Sequence, residues 1–274
     1  MSYTKLPIGT ANPGLIVILI DQSGSMVSPY VSGQTRAEFA ALAVNRCIYN
    51  ILLACSAGDK IKDRCHIGVI GYGQETKLQV AGRASEIQGQ MKREDRMQKK
   101  VPDGAGGLVE VEHRQPIWIE AAGDNGTPME EAFDLAGDLI QAWTRDNPDN
   151  FPPIVINITD GAPNDEPMAR AAAQRVMSYG TSDGTVLIFN AHIGDPGQAE
   201  LRLPPSNSGL SDPYSQFLFD ISSAIPDSLA AAAELAFEKK ILPGSRGFVM
   251  NAGAETLTKL LVFGSTPMTA TRRE

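Results

Sequence analysis

Apolar side chains fill every position from 15 to 20, and four of the six are β-branched, the pattern of a strand buried on both faces. Residues 65–72, 154–158 and 185–191 read as further buried strands, and 247–250 as a last short one. Between them the period changes. Residues 36–57 place Ala40, Val44, Cys47, Ile48, Ile51, Leu52 and Cys55 at three-and-four spacing. This predicts a core-facing helix, with polar Glu38, Asn45, Arg46 and Asn50 mainly on the rest of the wheel. A second helical pattern follows Pro128, which suits a first helical turn, and carries Phe133, Leu135, Ala136, Leu139 and Ile140. Helices are also predicted at 168–177, 228–239 and 255–263. Lys239 and Lys240 stand where a helix dipole favours cations.

Near-continuous apolar strands alternating with helices imply a mainly parallel sheet covered on both faces, a doubly wound α/β fold of Rossmann-like type. Ligands of such sheets bind outside the carboxyl ends of the strands. Two segments interrupt the alternation. Residues 74–124 contain the charged run Lys92-Arg93-Glu94-Asp95-Arg96, a turn-rich patch at 102–107 and the alternating stretch Leu108-Val109-Glu110-Val111-Glu112. The alternation predicts a strand or hairpin with one wet face, and the charged run is solvated surface or a docking patch. Residues 192–226 are rich in Pro, Gly, Ser and Asp, with Tyr214, Phe217 and Phe219 as possible anchors. This long loop leaves the sheet at the end that carries residues 21 and 160, so part of it is expected to border any site there; the alternative is an Ω-loop packed on its own aromatics. With no linker-like stretch and no long repeat, residues 1–274 read as one domain.

Asp21-Gln22-Ser23-Gly24-Ser25 follows the first strand directly, so a carboxylate and two hydroxyls can turn toward one point above the sheet. Carboxylate and hydroxyl oxygens suit a hard divalent cation. The same residue types also serve any strand-to-helix loop as turn formers and caps. Two later segments add oxygens: Thr159-Asp160-Gly161 at the tip of another strand, and Gly126-Thr127-Pro128 ahead of a helix.

These three segments, in this order, resemble the metal-ion-dependent adhesion site of the von Willebrand factor type A (VWA) domain, whose pattern is Asp-x-Ser-x-Ser, a distant Thr and a distant Asp within Thr-Asp-Gly. The resemblance runs from about Leu15 onward, and residues 74–124 are its least family-like part. It implies Ser23, Ser25 and Thr127 as hydroxyl ligands, with Asp21 and Asp160 as carboxylates binding directly or through water. It further implies Mg²⁺, with Mn²⁺ or Ca²⁺ possible, and a protein partner whose Asp or Glu completes the metal's shell. Thr-Asp-Gly-Ala-Pro and Gly-Thr-Pro-Met in a free-standing domain are similar to bacterial stand-alone versions, including tellurium-resistance-associated proteins that act in stress or phosphorylation signalling.

The 274 residues are 42% hydrophobic, enough for a substantial core, and the formal charge of −8 argues against general affinity for nucleic acid or an anionic membrane. Residues 1–7 lack the features of a signal peptide, and no apolar stretch is expected to reach the roughly 20 residues of a membrane span. Cys47, Cys55 and Cys65 are too few and too uneven for a disulfide framework, and read as buried thiols of a reducing, cytoplasmic compartment. No two of His66, His113 and His192 have metal-ligand spacing, and His192 reads as a hydrogen-bonding residue near the site.

Catalytic motifs are missing from the sequence. No P-loop run occurs, a nucleophile elbow would lack its first glycine at both Ser23 and Ser25, a dinucleotide fingerprint would stand where Asp21 and Ser23 do, and an aspartyl-phosphate phosphatase would need an acid at Ser23. The reading is a binding module and not an enzyme. Its competitor is a metal-assisted hydrolase or phosphatase using the same cation, with His192, Asp165 or Glu166 as base.

Overall fold

The apolar run of 15–20 lies inside a seven-stranded sheet, between two parallel neighbours, in the computed structural model, which describes residues 3, 6–31, 33–102, 107–195 and 197–269. Most of the turn-rich patch at 102–107, and residues 1, 2, 4 and 5 of the N-terminal segment, lie outside the described residues. In chain order the elements are β1 (Gly14–Asp21), α1 (Arg36–Cys55), a small hairpin of β2 (Ser56–Ala57) and β3 (Lys60–Ile61), β4 (Cys65–Tyr72), β5 (Thr76–Arg83) and α2 (Ala84–Ile87). A second hairpin follows, β6 (Arg93–Pro102) and β7 (Leu108–Ile117), then α3 (Met129–Asp146), β8 (Ile154–Thr159), α4 (Glu166–Ser178) and β9 (Leu187–His192). The chain continues through β10 (Leu201–Arg202), α5 (Pro213–Asp220), α6 (Asp227–Phe237), β11 (Phe248–Met250) and α7 (Ala254–Thr269).

The sheet order is β10-β11-β9-β8-β1-β4-β5. The five inner strands run parallel, and the edge strands β5 and β10 are antiparallel to their neighbours. The doubly wound architecture is as the strand pattern implies. Alternation along β1 divides the core: Ile16, Ile18 and Ile20 join the layer formed with α1, α6 and α7, whereas Leu15, Val17 and Leu19 join that of α3, α4 and α5. Strand β5, which falls in the segment least like the family, is a full member of the sheet.

Helix α1 shows how side-chain pattern and tertiary structure meet. It is 20 residues long and apolar enough to match a membrane span by length and composition, contrary to the sequence expectation. Most of its apolar residues, however, are buried in the core, with Ala40, Val44, Ile48 and Ile51 wholly covered and Leu53 the exposed exception. Asn45, expected on the polar side of the wheel, is 1% exposed. Its Nδ2 donates to the Ile119 carbonyl (2.8 Å), and its Oδ1 accepts from the amides of Trp118 (2.8 Å) and Ile119 (3.0 Å). One buried amide thus satisfies the backbone of the segment that returns from the β6–β7 hairpin.

That hairpin forms its own two-stranded sheet, in register from Arg93↔Ile117 to Pro102↔Leu108. The charged run lies largely in β6 and is paired locally: Arg93 with Asp95 and Glu120, and Glu94 with Arg114. These are exposed ion pairs, worth little individually. The segment 192–226 is more ordered than its composition suggests, since it contains β10 and α5. Phe217 and Phe219 are buried while Tyr214 is exposed, so two of the three aromatics act as anchors. The helix predicted at 228–239 ends at Phe237, where Glu238 turns into the left-handed region (φ 51°). All three cysteines are buried and free, and Cys55 Sγ lies 3.7 Å from Cys65 Sγ, a proximity that sequence spacing does not reveal.

Asn45→Ala should lower the free energy of unfolding by about 3 kcal/mol, because it strands two buried amide N–H groups and a carbonyl. Urea denaturation monitored by circular dichroism measures it; a change below 0.5 kcal/mol, roughly that of a surface substitution, would show that the three bonds contribute little.

Candidate metal centre

Strands β1 and β8 are parallel neighbours, paired from Ile16↔Ile154 to Ile20↔Ile158, so Asp21 and Asp160 emerge side by side at the carboxyl edge. Here the winding direction of the sheet changes: β1 is followed by β4 on one side and flanked by β8 on the other, the crevice position for ligands. The loop after β1 is held on both flanks. Gln22 N–H donates to the Tyr72 carbonyl (2.7 Å), and the Gln22 carbonyl accepts from Asp124 N–H (2.7 Å). Gly73 permits this approach, since a Cβ there would lie 2.6 Å from the Gln22 carbonyl oxygen. A short 3₁₀ turn, Gly24–Val27, then anchors the loop through buried Met26.

Four of the five residues named from the sequence meet in one hydrogen-bonded array. Asp21 Oδ1 accepts from the Ser23 amide (2.8 Å), and Ser23 Oγ lies 3.0 Å from Ser25 Oγ. Ser25 Oγ donates to Asp160 Oδ1 (2.6 Å). Asp21 and Ser23 are buried, whereas Ser25 is exposed, so the array opens to solvent on the Ser25 side. Thr127 stands apart. Its amide donates to Asn164 Oδ1 (2.9 Å), and the Asn164 amide donates to its carbonyl (3.0 Å). This clip ties the Thr127 loop to the loop that carries Asp160. Among the described residues, no hydrogen bond joins the Thr127 hydroxyl to the other four. Gly126 before it adopts φ +88°, the left-handed backbone that favours glycine.

Three participants were not named as site residues from the sequence. Thr159 Oγ1 donates to Asp21 Oδ2 (2.6 Å) and so fixes the plane of that carboxylate. It was visible as the first residue of Thr-Asp-Gly, but nothing local showed where its hydroxyl points. Arg36, the first residue of α1, donates from Nη1 to Asp160 Oδ2 (2.7 Å). The same guanidinium pairs through Nη2 with Asp195, in the loop after β9. Part of the 192–226 segment therefore does reach the array. An open groove of about 510 Å³ runs beside it, lined among others by Arg36, Asp160, His192, Asp195 and Asp212. His192 Nδ1 accepts from the Asn251 amide (3.4 Å), and burial lowers its pKa below the usual histidine value.

The floor of the site is polar and buried. Tyr72 Oη donates to Asn157 Oδ1 (2.8 Å), Asn157 Nδ2 to Asn190 Oδ1 (3.0 Å), and Asn190 Nδ2 to Ser222 Oγ (2.9 Å). Above it, burial pushes the Asp21 carboxyl up to about 6, although the bonds from Thr159 and Ser23 pull it down.

The donor chemistry fits a hard cation. Every polar atom in the array is oxygen apart from the Arg36 nitrogens and the Ser23 amide. Two ligands on adjacent octahedral corners at Mg–O bond lengths lie about 2.9 Å apart, and the Ser23 and Ser25 hydroxyls are 3.0 Å apart. No group of three or more His, Cys, Asp or Glu side chains gathers as metal ligands among the described residues, so a cation here would depend on the hydroxyls.

A scan of protein-family models finds no match, and neither does a search of curated proteins. Among solved structures the chain is similar to the pilus adhesin SpaC from Lactobacillus rhamnosus GG, with 14% identity and a TM-score of 0.52 over 94% of this chain and 30% of that one. It is also similar to the vWF domain of the type V pili tip protein Mfa5 from Porphyromonas gingivalis (15% identity, TM-score 0.35, 56% of this chain and 39% of that one). A third is the manganese-loaded TRAP protein of Plasmodium vivax (14% identity, TM-score 0.40, 79% and 65%). The chain thus spans less than two thirds of each. The likeness to SpaC is one of fold: a doubly wound, mostly parallel sheet with helices on both faces.

The raised Asp21 pKa has a consequence for stability. The folded state holds this proton more tightly than the unfolded chain does, so the stabilisation is fully present below about pH 4 and is lost as pH rises through 6. In metal-free buffer, Asp21 should therefore cost the fold about 3 kcal/mol at pH 7 relative to pH 4. Denaturation of the wild type and Asp21→Asn across this range isolates the contribution; parallel curves would show that Asp21 titrates normally.

Proposed function

We propose that this chain is a type A domain that binds a partner protein through a divalent cation held by Asp21, Ser23, Ser25, Thr127 and Asp160, with the partner's Asp or Glu completing the shell. Mg²⁺ is the first choice, and Mn²⁺ or Ca²⁺ can use the same oxygens. The observation that carries this reading is the convergence of Asp21, Ser23, Ser25 and Asp160 in one oxygen array at the crevice of the sheet, open on the Ser25 side.

A bound cation would supply positive charge and Lewis acidity at this edge. The chain's own residues hold the oxygens in place: Thr159 and the Ser23 amide orient Asp21, and Asn164 clips the Thr127 loop. Asp21 and Asp160 balance a divalent ion and Asp195 balances the guanidinium, so no excess negative charge repels an incoming carboxylate, which a cation with an open position binds in preference to a neutral group. The chain's acidic total of −8 does not oppose this, because the attraction is local.

Two of the three candidates for the base of the hydrolytic alternative are already committed. Asp165 caps α4 by accepting from the Met168 amide (2.9 Å), and Glu166 pairs with Arg170 (2.9 Å). His192 has its Nδ1 engaged by the Asn251 amide. These partnerships favour binding over turnover. A setting in bacterial stress or signalling assemblies belongs to the same proposal and rests on the motif resemblance alone.

Calorimetric titration with Mg²⁺ and Mn²⁺ tests the ligand set: Asp21→Ala and Thr127→Ala should each weaken binding by at least about 100-fold, as expected when a buried charge or one of few ligands is removed, without loss of the folded circular dichroism spectrum. Unchanged affinity in either variant would remove that residue from the set. Binding should also weaken as pH falls through 6, where Asp21 takes up a proton that the metal must displace. Affinity capture should retain a protein partner on the wild type that chelator releases and Asp21→Ala never binds; a partner indifferent to both would sink the cation-dependent mechanism.

A further inference from the structure

The placement of Arg36 is electrostatically unusual for a helix. As the first residue of α1, it puts a cation at the positive end of the helix dipole, where anions are favoured. The Thr35–Glu38 capping box immediately before it fixes this start, so the position is built and does not fray. The Arg36 side chain is 13% exposed, and the Asp160 side chain it meets is fully covered.

Its bonding is also suboptimal. Arginine typically grips a carboxylate with two parallel N–H groups, yet here the fork is divided: Nη1 to Asp160 Oδ2, Nη2 to Asp195 Oδ1. Nε is buried and has no hydrogen-bond partner. Hydrogen-bond count therefore does not explain why arginine stands here. Charge does: it is the positive group beside two carboxylates, Asp160 and Asp195, with a third, Asp21, in the same array. A single-bonded contact is also the kind that a divalent ion can displace.

We propose that Arg36 is the cation of the metal-free site: it neutralises Asp160 until a divalent ion arrives and then competes with that ion for it, so that Arg36 sets the affinity of the centre. This rests on the metal reading above. Asp195 tunes the competition. Its side chain is 65% exposed, and it draws half of the guanidinium away from Asp160. The two residues therefore act on the metal with opposite signs.

The test is Mn²⁺ and Mg²⁺ titration of wild type, Arg36→Gln, Arg36→Lys, Asp195→Asn and Arg36→Gln/Asp195→Asn, with thermal unfolding of each in chelator. Arg36→Gln should bind the metal about 10-fold more tightly or better, the scale expected for a unit charge within 4–6 Å. It should also unfold at lower temperature than wild type in chelator and recover that loss when metal is added. Arg36→Lys, which keeps the charge and loses the fork, should stay within about threefold of wild type. Asp195→Asn should bind roughly threefold more weakly, an effect that shrinks in the double variant. Equal or weaker metal binding by Arg36→Gln, with Asp21→Ala still abolishing it, overturns the competition and leaves the metal centre standing. A wild type that binds neither ion overturns the metal reading itself, and this inference with it.

Discussion

A carboxylate at the tip of a strand buried on both faces must be satisfied by its immediate surroundings, and that constraint on Asp21 organises the molecule around it. Strand β1 is central because its six apolar residues need helices on both sides, and a central strand in a doubly wound sheet ends in a crevice. Desolvation there is costly, so the Ser23 amide and the Thr159 hydroxyl turn inward to meet the two carboxylate oxygens. Those turns set the course of the loops after β1 and β8. The array of oxygens is thus a product of satisfying one buried acid, and its capacity for a cation follows from the same arrangement.

The rest of the site shows how charge is balanced across distant parts of the chain. Asp160 receives Ser25 on one oxygen and Arg36 on the other, and the guanidinium reaches on to Asp195. Three separate loops and the start of α1 thereby share one electrostatic problem. No single bond in this set is strong in water, but Asp160 is covered, and a covered charge left unpaired is penalised far more heavily than an exposed one.

Sequence patterns exposed the strands and helices because burial on both faces leaves a continuous apolar signal, and the site because its motifs are short and local. Where partners lie far apart in sequence the signal disappears. Arg36 is 124 residues from Asp160, and nothing in its neighbourhood distinguishes it from a surface arginine. Asn45 looks like a polar helix residue until the segment at 118–119 docks on it. The ordered α5 within 192–226 was masked by the Pro, Gly and Ser around it, although its buried phenylalanines were visible as anchors. The small hairpin of β2 and β3, by contrast, has only two residues per strand, too short for any periodicity.

The chain of amides beneath the site also acts as a ruler. Asn157 and Asn190 stand opposite one another in the β8–β9 register, and Tyr72 closes the row from β4 across β1. Sliding β8 by one residue would turn Asn157 toward the α1 and α7 layer and carry Asp160 to the opposite side of its strand. The apolar contacts of the opposite face, made by Ile154, Ile156 and Ile158, could be exchanged for others in such a slip. The polar row cannot, and it therefore fixes how far each strand protrudes beyond the sheet, which determines whether two acids from separate strands arrive at the same height.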